Sequence, residues 1–140
     1  MSTDPIANPI YRGVIPYVNV EGADAASALY QRAFGAKELT RMPAEDGRRL
    51  MHCHLEINGG SLMLADAFPE HDHGLQPSHS YTMTIQIGDI DAWWARAIEA
   101  GGFEVTMPVQ TMFWGDRYGS LRDPFGIHWA LNQPAAVNAG

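Results

Sequence analysis

The sequence predicts an α+β fold made of two tandem βαβββ modules. The first observation behind this prediction is an internal repeat, because seven identical residues recur at a constant offset of 67 positions. The seven pairs are Asp24 with Asp91, Ala25 with Ala92, Ala28 with Ala95, Ala33 with Ala100, Gly35 with Gly102, Gly59 with Gly126 and Leu64 with Leu131. The second observation is that both halves run through strand-like and helix-like patterns in the same order.

Each half begins with a short strand followed by a helix. Alternating apolar residues predict strands over residues 14–20 and 81–87, and helical spacing predicts helices over 23–34 and 89–100. The apolar stripes of the helices consist of Ala26, Leu29, Tyr30 and Phe34, and of Ile90, Trp94, Ala97 and Ile98. Gly35 and Gly101 stand where helix C-termini favour a left-handed residue, and Asp89 is typical of an N-cap.

Three candidate strands follow each helix. They cover residues 36–42, 50–57 and 61–67 in the first half, and 103–107, 117–122 and 127–131 in the second. Asn58-Gly59-Gly60 predicts a hairpin, and Asp123, Pro124 and Gly126 fit a type I turn. We therefore expect one domain over residues 13–134, with module one at 13–68, a linker at 69–79 and module two at 80–134. Tails occupy residues 1–12 and 135–140.

Charge and composition exclude several classes of function. The net charge is -7 with only 9 Lys and Arg residues and no basic cluster, so we expect no nucleic-acid partner. No apolar stretch approaches the roughly 20 residues that span a bilayer, so we expect no membrane partner. Residues 1–12 lack a signal-peptide pattern, and the single Cys53 excludes an intrachain disulfide. Together these features predict a cytoplasmic protein.

Five segments carry a family resemblance. They are ALYQRAFGA at residues 28–36, MH at 51–52, GSLMLAD at 60–66, WGDRYG at 114–119 and RDPFGIHWAL at 122–131. In these segments the chain resembles the vicinal oxygen chelate superfamily, which groups glyoxalases, bleomycin-resistance proteins and extradiol dioxygenases, and in particular its PhnB-like branch. The resemblance covers roughly residues 14–132.

The resemblance implies two modules that form an incomplete barrel around a cupped pocket, and a homodimer. Catalytic members of the superfamily hold a divalent metal with His, Gln or Glu from the first and last strands of each module. In this chain those positions fall near Ile15, Ala65, Thr82 and Ala130, none of which is a good ligand. We therefore expect no cofactor and no metal ligands. The sequence disfavours a divalent metal without excluding one.

The segment at residues 50–57 is the most unusual. Alternation places its polar residues, His52, His54 and Glu56, on one face of a strand and its apolar residues, Met51, Cys53, Leu55 and Ile57, on the other. Histidines two residues apart on a strand can contact a substrate, exchange protons or share a metal. We assign a catalytic role to His52 and ligand contacts to His54 and Glu56. The alternative is that these are strand residues bonded to their neighbours.

Asp66 is the second catalytic candidate. It ends an apolar strand, and a carboxylate beside apolar walls can act as a general base. The alternative is that Asp66 caps the loop that follows.

Residues 114–118 are predicted to line a ligand pocket. Trp114, Asp116, Arg117 and Tyr118 combine an aromatic wall, an acid, a guanidinium and a phenol, and Arg117 could bind a carboxylate or phosphate. The alternative is a surface pair of Asp116 with Arg117 beside core aromatic residues. Phe113 and Trp129 are further predicted ligand contacts, with a core role as the alternative.

Two further groups of histidines have the side chains of metal ligands. His71-Asp72-His73 lies in a loop that is also consistent with a flexible polar linker, and His128 is the nearest substitute ligand should a metal bind.

We therefore predict a metal-independent protein that binds a small organic molecule. The alternative is a lyase, isomerase or dioxygenase-type enzyme that uses His52 and Asp66 or a non-standard divalent metal site. A third class is an interaction module without a ligand. The sequence does not decide whether the chain is an enzyme.

Overall fold

The computed structural model describes residues 7–71, 74–76 and 78–136. The chain divides into two compact units, Met1–Gln76 and Pro77–Gly140. The first unit contains β1 (Tyr17–Val20), α1 (Ala23–Phe34), β2 (Lys37–Pro43), β3 (Leu50–Ile57) and β4 (Gly60–Asp66). The second contains β5 (Met83–Gln86), α2 (Ile90–Ala100), β6 (Glu104–Thr111), β7 (Arg117–Arg122) and β8 (His128–Gln133). Single 3-10 turns cover Pro9–Tyr11 and Pro69–His71. The predicted tandem βαβββ order is confirmed.

The two four-stranded sheets have the same topology. Their strand orders are β1-β4-β3-β2 and β5-β8-β7-β6. In each sheet the first strand runs parallel to the last, and the other pairs are antiparallel. Tyr17 pairs with Met63 in the first sheet, and Thr84 pairs with Ala130 in the second. Residues 67 positions apart in the sequence therefore occupy equivalent positions in these strands of the two sheets.

The repeat is shifted by one residue in the third strand of each unit. Cys53 pairs with Leu64 in the first unit, and Gly119 pairs with Leu131 in the second. Because Leu64 and Leu131 are equivalent, the offset between β3 and β7 is 66 rather than 67. His52 therefore corresponds to Tyr118.

Two strand ends differ from the predicted ones at prolines, and the strand predicted over residues 81–87 is shorter, Met83–Gln86. The predicted strand at residues 14–20 begins only at Tyr17, after Pro16, which has no amide hydrogen to donate to a ladder. The predicted strand at 103–107 instead continues to Thr111. It accommodates Pro108 as an edge strand with register shifts on either side of Met107.

Both predicted turns form. Asn58 and Gly59 have φ of 50° and 81°, the left-handed pair that a two-residue hairpin turn requires. The Gly126 amide donates to the Asp123 carbonyl at 3.2 Å and closes the turn before β8.

Helix α1 carries the core of the first unit. Its predicted stripe of Ala26, Leu29, Tyr30 and Phe34 is buried, which confirms the helical pattern. The stripe packs on the sheet face that holds the other buried apolar side chains, among them Leu55 and Leu64 of β3 and β4.

Helix α2 is less buried than its stripe predicts. Ile90 and Ala97 are buried and Trp94 is half-buried, but Ile98 is 43% exposed, so its predicted core position is wrong. The Trp94 ring lies directly over Gly119 of β7. A Cβ atom at Gly119 would stand 2.6 Å from Cζ3 of Trp94 and 3.0 Å from Cγ2 of Val109. The close approach of α2 to the sheet therefore depends on this glycine.

No helix among the residues described above is long and apolar enough to cross a membrane.

Gly119→Ala tests this close approach. Because the added methyl overlaps Trp94, we expect the free energy of unfolding to fall by about 1–3 kcal/mol in urea denaturation. Gly88→Ala is the matched control, since its added Cβ meets nothing within 4 Å. Adding Trp94→Phe to Gly119→Ala should recover part of the loss, because it removes the outer indole ring. Equal stability of the two alanine variants would contradict the assignment.

Candidate functional site

The first unit contains a hollow of about 800 Å³. We call it the first-unit hollow. Tyr17 and Asn19 of β1 line it, while Val18 and Val20 between them are buried, so the hollow lies on the sheet face opposite α1. The complete lining consists of Tyr17, Asn19, Ala44, Glu45, Asp46, Arg49, Met51, Ala65, Asp66, Phe68, Glu70 and His71.

Aromatic rings form two walls of the hollow. Tyr17 is 49% exposed, and its hydroxyl lies 3.1 Å from Nδ1 of His52, with the two rings 5.7 Å apart. Burial of the hydroxyl, followed by the nearby Cys53 thiol, raises the pKa of Tyr17. Phe68 also lines the hollow, and the guanidinium of Arg49 lies over its ring at 4.3 Å. The hollow therefore offers one open aromatic face and one that already holds a cation.

Arg49 donates a hydrogen bond from each of its three side-chain nitrogens to carboxylates of the lining. Its Nε donates to Asp46 at 2.7 Å, and its two terminal nitrogens donate to Glu70 at 3.0 and 2.6 Å. Asp46 also accepts from the amides of Arg48 and Arg49, and these bonds hold its pKa well below the ordinary value. Hydrogen bonding to Arg49 lowers the pKa of Glu70 in the same way. Both carboxylates are therefore ionised at neutral pH.

Asp66 joins three elements of the first unit. Its side chain is buried, and Oδ1 accepts from the amides of Gly22 at 2.7 Å and Ala23 at 3.0 Å. Oδ2 accepts from the Leu50 amide at 2.7 Å. Gly22 is the N-cap of α1 and has no side chain to bind the first amides, so Asp66 supplies the missing acceptor. The amides belong to α1 and β3, so the predicted alternative of a cap for the following loop is wrong.

The second unit repeats this joint with a different residue. Gln133 stands 67 positions after Asp66, and its Oε1 accepts from the amide of Ile90, the equivalent of Ala23, at 3.0 Å. Asp89 is the N-cap of α2 as predicted, because its side chain accepts from the Ala92 amide at 3.2 Å. A structural role at the position of Asp66 is thus common to both units. Its role as a general base stays a prediction.

His54 is buried in an internal network. Its Nε2 lies 2.8 Å from the Ser61 hydroxyl, which donates to the Ile10 carbonyl at 2.6 Å. Because a serine hydroxyl has one proton, His54 must be the donor to Ser61. Burial, followed by the neighbouring His52, lowers the pKa of His54. The predicted ligand contact is thus a side chain that is 1% exposed and holds the Pro9–Tyr11 turn against β4.

The two faces of β3 follow the prediction except at its start. Cys53, Leu55 and Ile57 are buried beneath α1, and His52 and Glu56 are half-buried on the opposite face. Met51 is 56% exposed and lines the first-unit hollow, so its predicted place on the buried face is wrong. The register of β2 against β3 shifts between Met42 and Pro43, and Leu50 takes the buried position instead.

The residues of the second unit that were predicted to line one pocket have different bonding partners. Arg117 donates to Asp91 at 2.8 Å, whereas Asp116 accepts from the Asn132 side chain at 3.0 Å and the Ala135 amide at 2.8 Å. The Asn132 bond, followed by the Ala135 amide, lowers the pKa of Asp116. The alternative of a pair between Asp116 and Arg117 is therefore wrong, because each has another partner. Tyr118 is half-buried.

The aromatic candidates also lie in different environments. Phe113 is 97% exposed and Trp114 50% exposed in the turn between β6 and β7, where their rings meet edge to face at 4.7 Å. Trp129 is 3% exposed, and its Nε1 donates to Asp123 at 2.9 Å, which is the core role given above as its alternative.

The histidine groups do not form a metal site in the part of the chain that is described. Nε2 of His128 lies 2.8 Å from Nδ1 of His79. His71 lines the first-unit hollow. Asp72 and His73 fall outside the described residues. Across residues 7–71, 74–76 and 78–136, no three His, Cys, Asp or Glu side chains are placed to hold one ion. The side chains at Ile15, Ala65, Thr82 and Ala130 do not fit a divalent metal either.

The sequence did not identify three residues that line the hollow, Tyr17, Arg49 and Phe68. The alternation of Tyr17 with Val18 and Val20 indicated that its ring faces away from the helix. Arg49 and Phe68 gave no local signal, because their contacts join residues about twenty positions apart.

Asp66→Asn tests the structural role of this carboxylate. The variant weakens three hydrogen bonds to amides and removes the negative charge at the N-terminus of α1, so we expect a loss of about 1–3 kcal/mol in urea denaturation at pH 7. Glu99→Gln, an exposed change on α2, is the control and should alter stability by less than about 0.5 kcal/mol. An Asp66→Asn variant as stable as wild type would contradict the structural role of the Asp66 carboxylate and favour its predicted role as a general base.

His54 makes stability depend on pH in a defined direction. Because its pKa is lowered in the folded chain, unfolding takes up a proton between the folded pKa and the ordinary value of about 6.5. The free energy of unfolding should therefore fall as the pH drops below about 6.5. His54→Gln should remove this component in denaturation series at several pH values, and His71→Gln, at an exposed histidine, should retain it. Identical slopes in wild type and His54→Gln would disprove the assignment.

Comparison with known proteins identifies the family. The model of the Glyoxalase/Bleomycin resistance protein/Dioxygenase superfamily matches residues 13–131. An uncharacterised protein of Mycobacterium tuberculosis, Rv0887c, is 38% identical over 137 residues, which cover 94% of this chain and 79% of that protein. Two solved structures share the fold. The first is PA1353 from Pseudomonas aeruginosa, with a TM-score of 0.74 and 22% identity, and the match covers 89% of this chain and 99% of that one. The second is a PhnB protein from Bacillus cereus, described as a putative 3-demethylubiquinone-9 3-methyltransferase. Its TM-score is 0.69 and its identity 18%, and the match covers 88% of this chain and 100% of that one. The chain belongs to the glyoxalase/bleomycin resistance protein/dioxygenase superfamily.

Proposed function

We propose that this protein binds a small organic molecule in the first-unit hollow without the help of a metal. The observation that carries the proposal is the hollow itself. Its volume of about 800 Å³ lies within the range of small-molecule sites, and its walls combine five aromatic or apolar residues with seven polar or charged ones. Tyr17, Met51 and Phe68 are the largest apolar side chains of the lining.

The ionisable groups of the lining favour binding over catalysis. Asp66 already accepts three amide hydrogen bonds, and Arg49 is shared between Asp46 and Glu70. A general base needs a free lone pair within reach of the substrate, and backbone amides occupy three of the roughly four acceptor sites of the buried Asp66. These groups shape and charge the hollow.

Nothing in this mode of binding calls for a metal or a cofactor. The donor set at the superfamily's ligand positions does not fit a divalent ion, and aromatic walls bind an organic molecule through area and shape. We further propose that the protein is a homodimer, because of the family resemblance, and that it is cytoplasmic, because of its composition. Light scattering of the purified chain tests the homodimer.

A second candidate function is an acid–base enzyme of the lyase or isomerase type. The observation that favours it is the pair of Tyr17 and His52, whose hydroxyl and Nδ1 are 3.1 Å apart at the wall of the hollow. Such a pair can pass a proton to or from a bound molecule. In such an enzyme Tyr17, rather than Asp66, would be the partner of His52 in acid–base catalysis. Turnover of a bound compound, lost in Tyr17→Phe while binding remains, would favour this candidate.

Binding of the neutral naphthalene dye prodan tests the proposal. We expect saturable fluorescence enhancement with one site per chain, unchanged after dialysis against EDTA. Tyr17→Ala should weaken binding by about threefold to tenfold, because it removes one aromatic wall. Tyr81→Ala, at an exposed aromatic residue of the second unit, is the matched control and should leave the affinity unchanged.

Two results would overturn the proposal. One is the absence of saturable binding of the dye. The other is an affinity that EDTA abolishes or that both alanine variants reduce equally.

A further inference from the structure

We propose that the first-unit hollow selects organic cations, namely planar aromatic molecules that carry an ammonium or amidinium group. This inference rests on the proposed function and names the class of ligand. It starts from the balance of charge in the lining. Four carboxylates, Glu45, Asp46, Asp66 and Glu70, face one guanidinium, Arg49.

Arg49 is not available to an anionic ligand. Three of its nitrogens are directed at Asp46 and Glu70, and its plane lies on the ring of Phe68. A carboxylate or phosphate entering the hollow would approach these two ionised side chains, whose negative charges repel it. Among the described residues the lining contains no Lys or Arg besides Arg49, and the guanidinium of the exposed Arg48 lies outside the lining at 3.8 Å from Asp46.

The arrangement around Arg49 shows what the hollow stabilises. A planar organic cation lies against an aromatic face, with its N–H groups shared between two carboxylates, and this is the recognition pattern for guanidinium and amidinium groups. The hollow thus contains one such cation as part of its own wall. The same chemistry is available to a second cation wherever a ring and a carboxylate stand open.

Tyr17 and Glu45 supply that open pair. Tyr17 is 49% exposed, so part of its ring remains available for stacking. Glu45 is exposed, and neither its carboxylate nor the side chain of Asn19 has a hydrogen bond within residues 7–71, 74–76 and 78–136. A flat aromatic body can lie against Tyr17 and Met51 while its cationic group reaches Glu45. Because Glu45 is exposed, solvent and salt partly screen this attraction, so it is strongest at low ionic strength.

A matched series of three naphthalene compounds tests the selectivity. They are 2-naphthamidine as the cation, 2-naphthamide as the neutral amide and 2-naphthoate as the anion. Isothermal titration uses the full chain at low ionic strength and at about pH 8, where ordinary histidine side chains are neutral. We expect the cation to bind about tenfold more tightly than the amide, and the anion to bind more weakly than the amide. High salt should reduce the difference in affinity between the cation and the amide, because it screens exposed charges.

One variant locates the charge that is responsible. Glu45→Gln should weaken binding of the cation by about threefold or more and leave the amide unchanged, since it removes a charge without removing an internal bond. Glu99→Gln, which neutralises an exposed acid of the second unit, is the matched control and should change neither affinity.

The outcomes separate this inference from the proposed function. Saturable binding of the amide or the anion with an affinity equal to or above that of the cation would overturn the selectivity and leave the binding function standing. Failure of all three compounds to bind would overturn the binding function itself. A Glu45→Gln variant that binds the cation as tightly as wild type would overturn the role of Glu45.

Discussion

The carboxylate of Asp66 fixes the geometry on which the first unit depends. A helix that begins at a glycine has free amides and no side chain to bind them, and a sheet strand three elements later provides the acceptor. The same carboxylate binds the first residue of β3, so one side chain sets the start of α1 and of β3 relative to the end of β4. Buried amides without acceptors are costly, which makes this joint a strong constraint on the unit.

The first-unit hollow follows from this joint. With α1 held on one face of the sheet, the odd-numbered residues of β1 and the neighbouring side chains of β4 remain on the other face. The segment before β3 then closes one side, because Arg49 ties it to Glu70 and to the ring of Phe68. The charges of the hollow therefore serve two purposes, since they hold its walls together and give it a negative lining.

The sequence predicted the fold far better than the site. Period-two and helical spacing located α1, α2, β3 and β7 to within a residue, because each pattern depends on burial of a single face. Local patterns could not show that His54 and Trp129 would be buried in internal bonds, because Ser61 and Asp123 reach them only in the folded chain. Nor could they show the contacts of Arg49 with Glu70 or the register shift that exposes Met51.

The shifted repeat has a consequence for how the two halves diverged. Ser27 and Trp94 are equivalent on the two helices, and Cys53 and Gly119 are equivalent on the strands beneath them. In the first unit two small side chains meet, since the Cys53 thiol and the Ser27 hydroxyl both bond to Glu38. In the second an indole fills the same space because its partner has no side chain. The side chain on the helix is larger in the second unit, and the residue opposite it on the strand is smaller. Neither helix can therefore replace the other unless the strand residue opposite it is replaced as well.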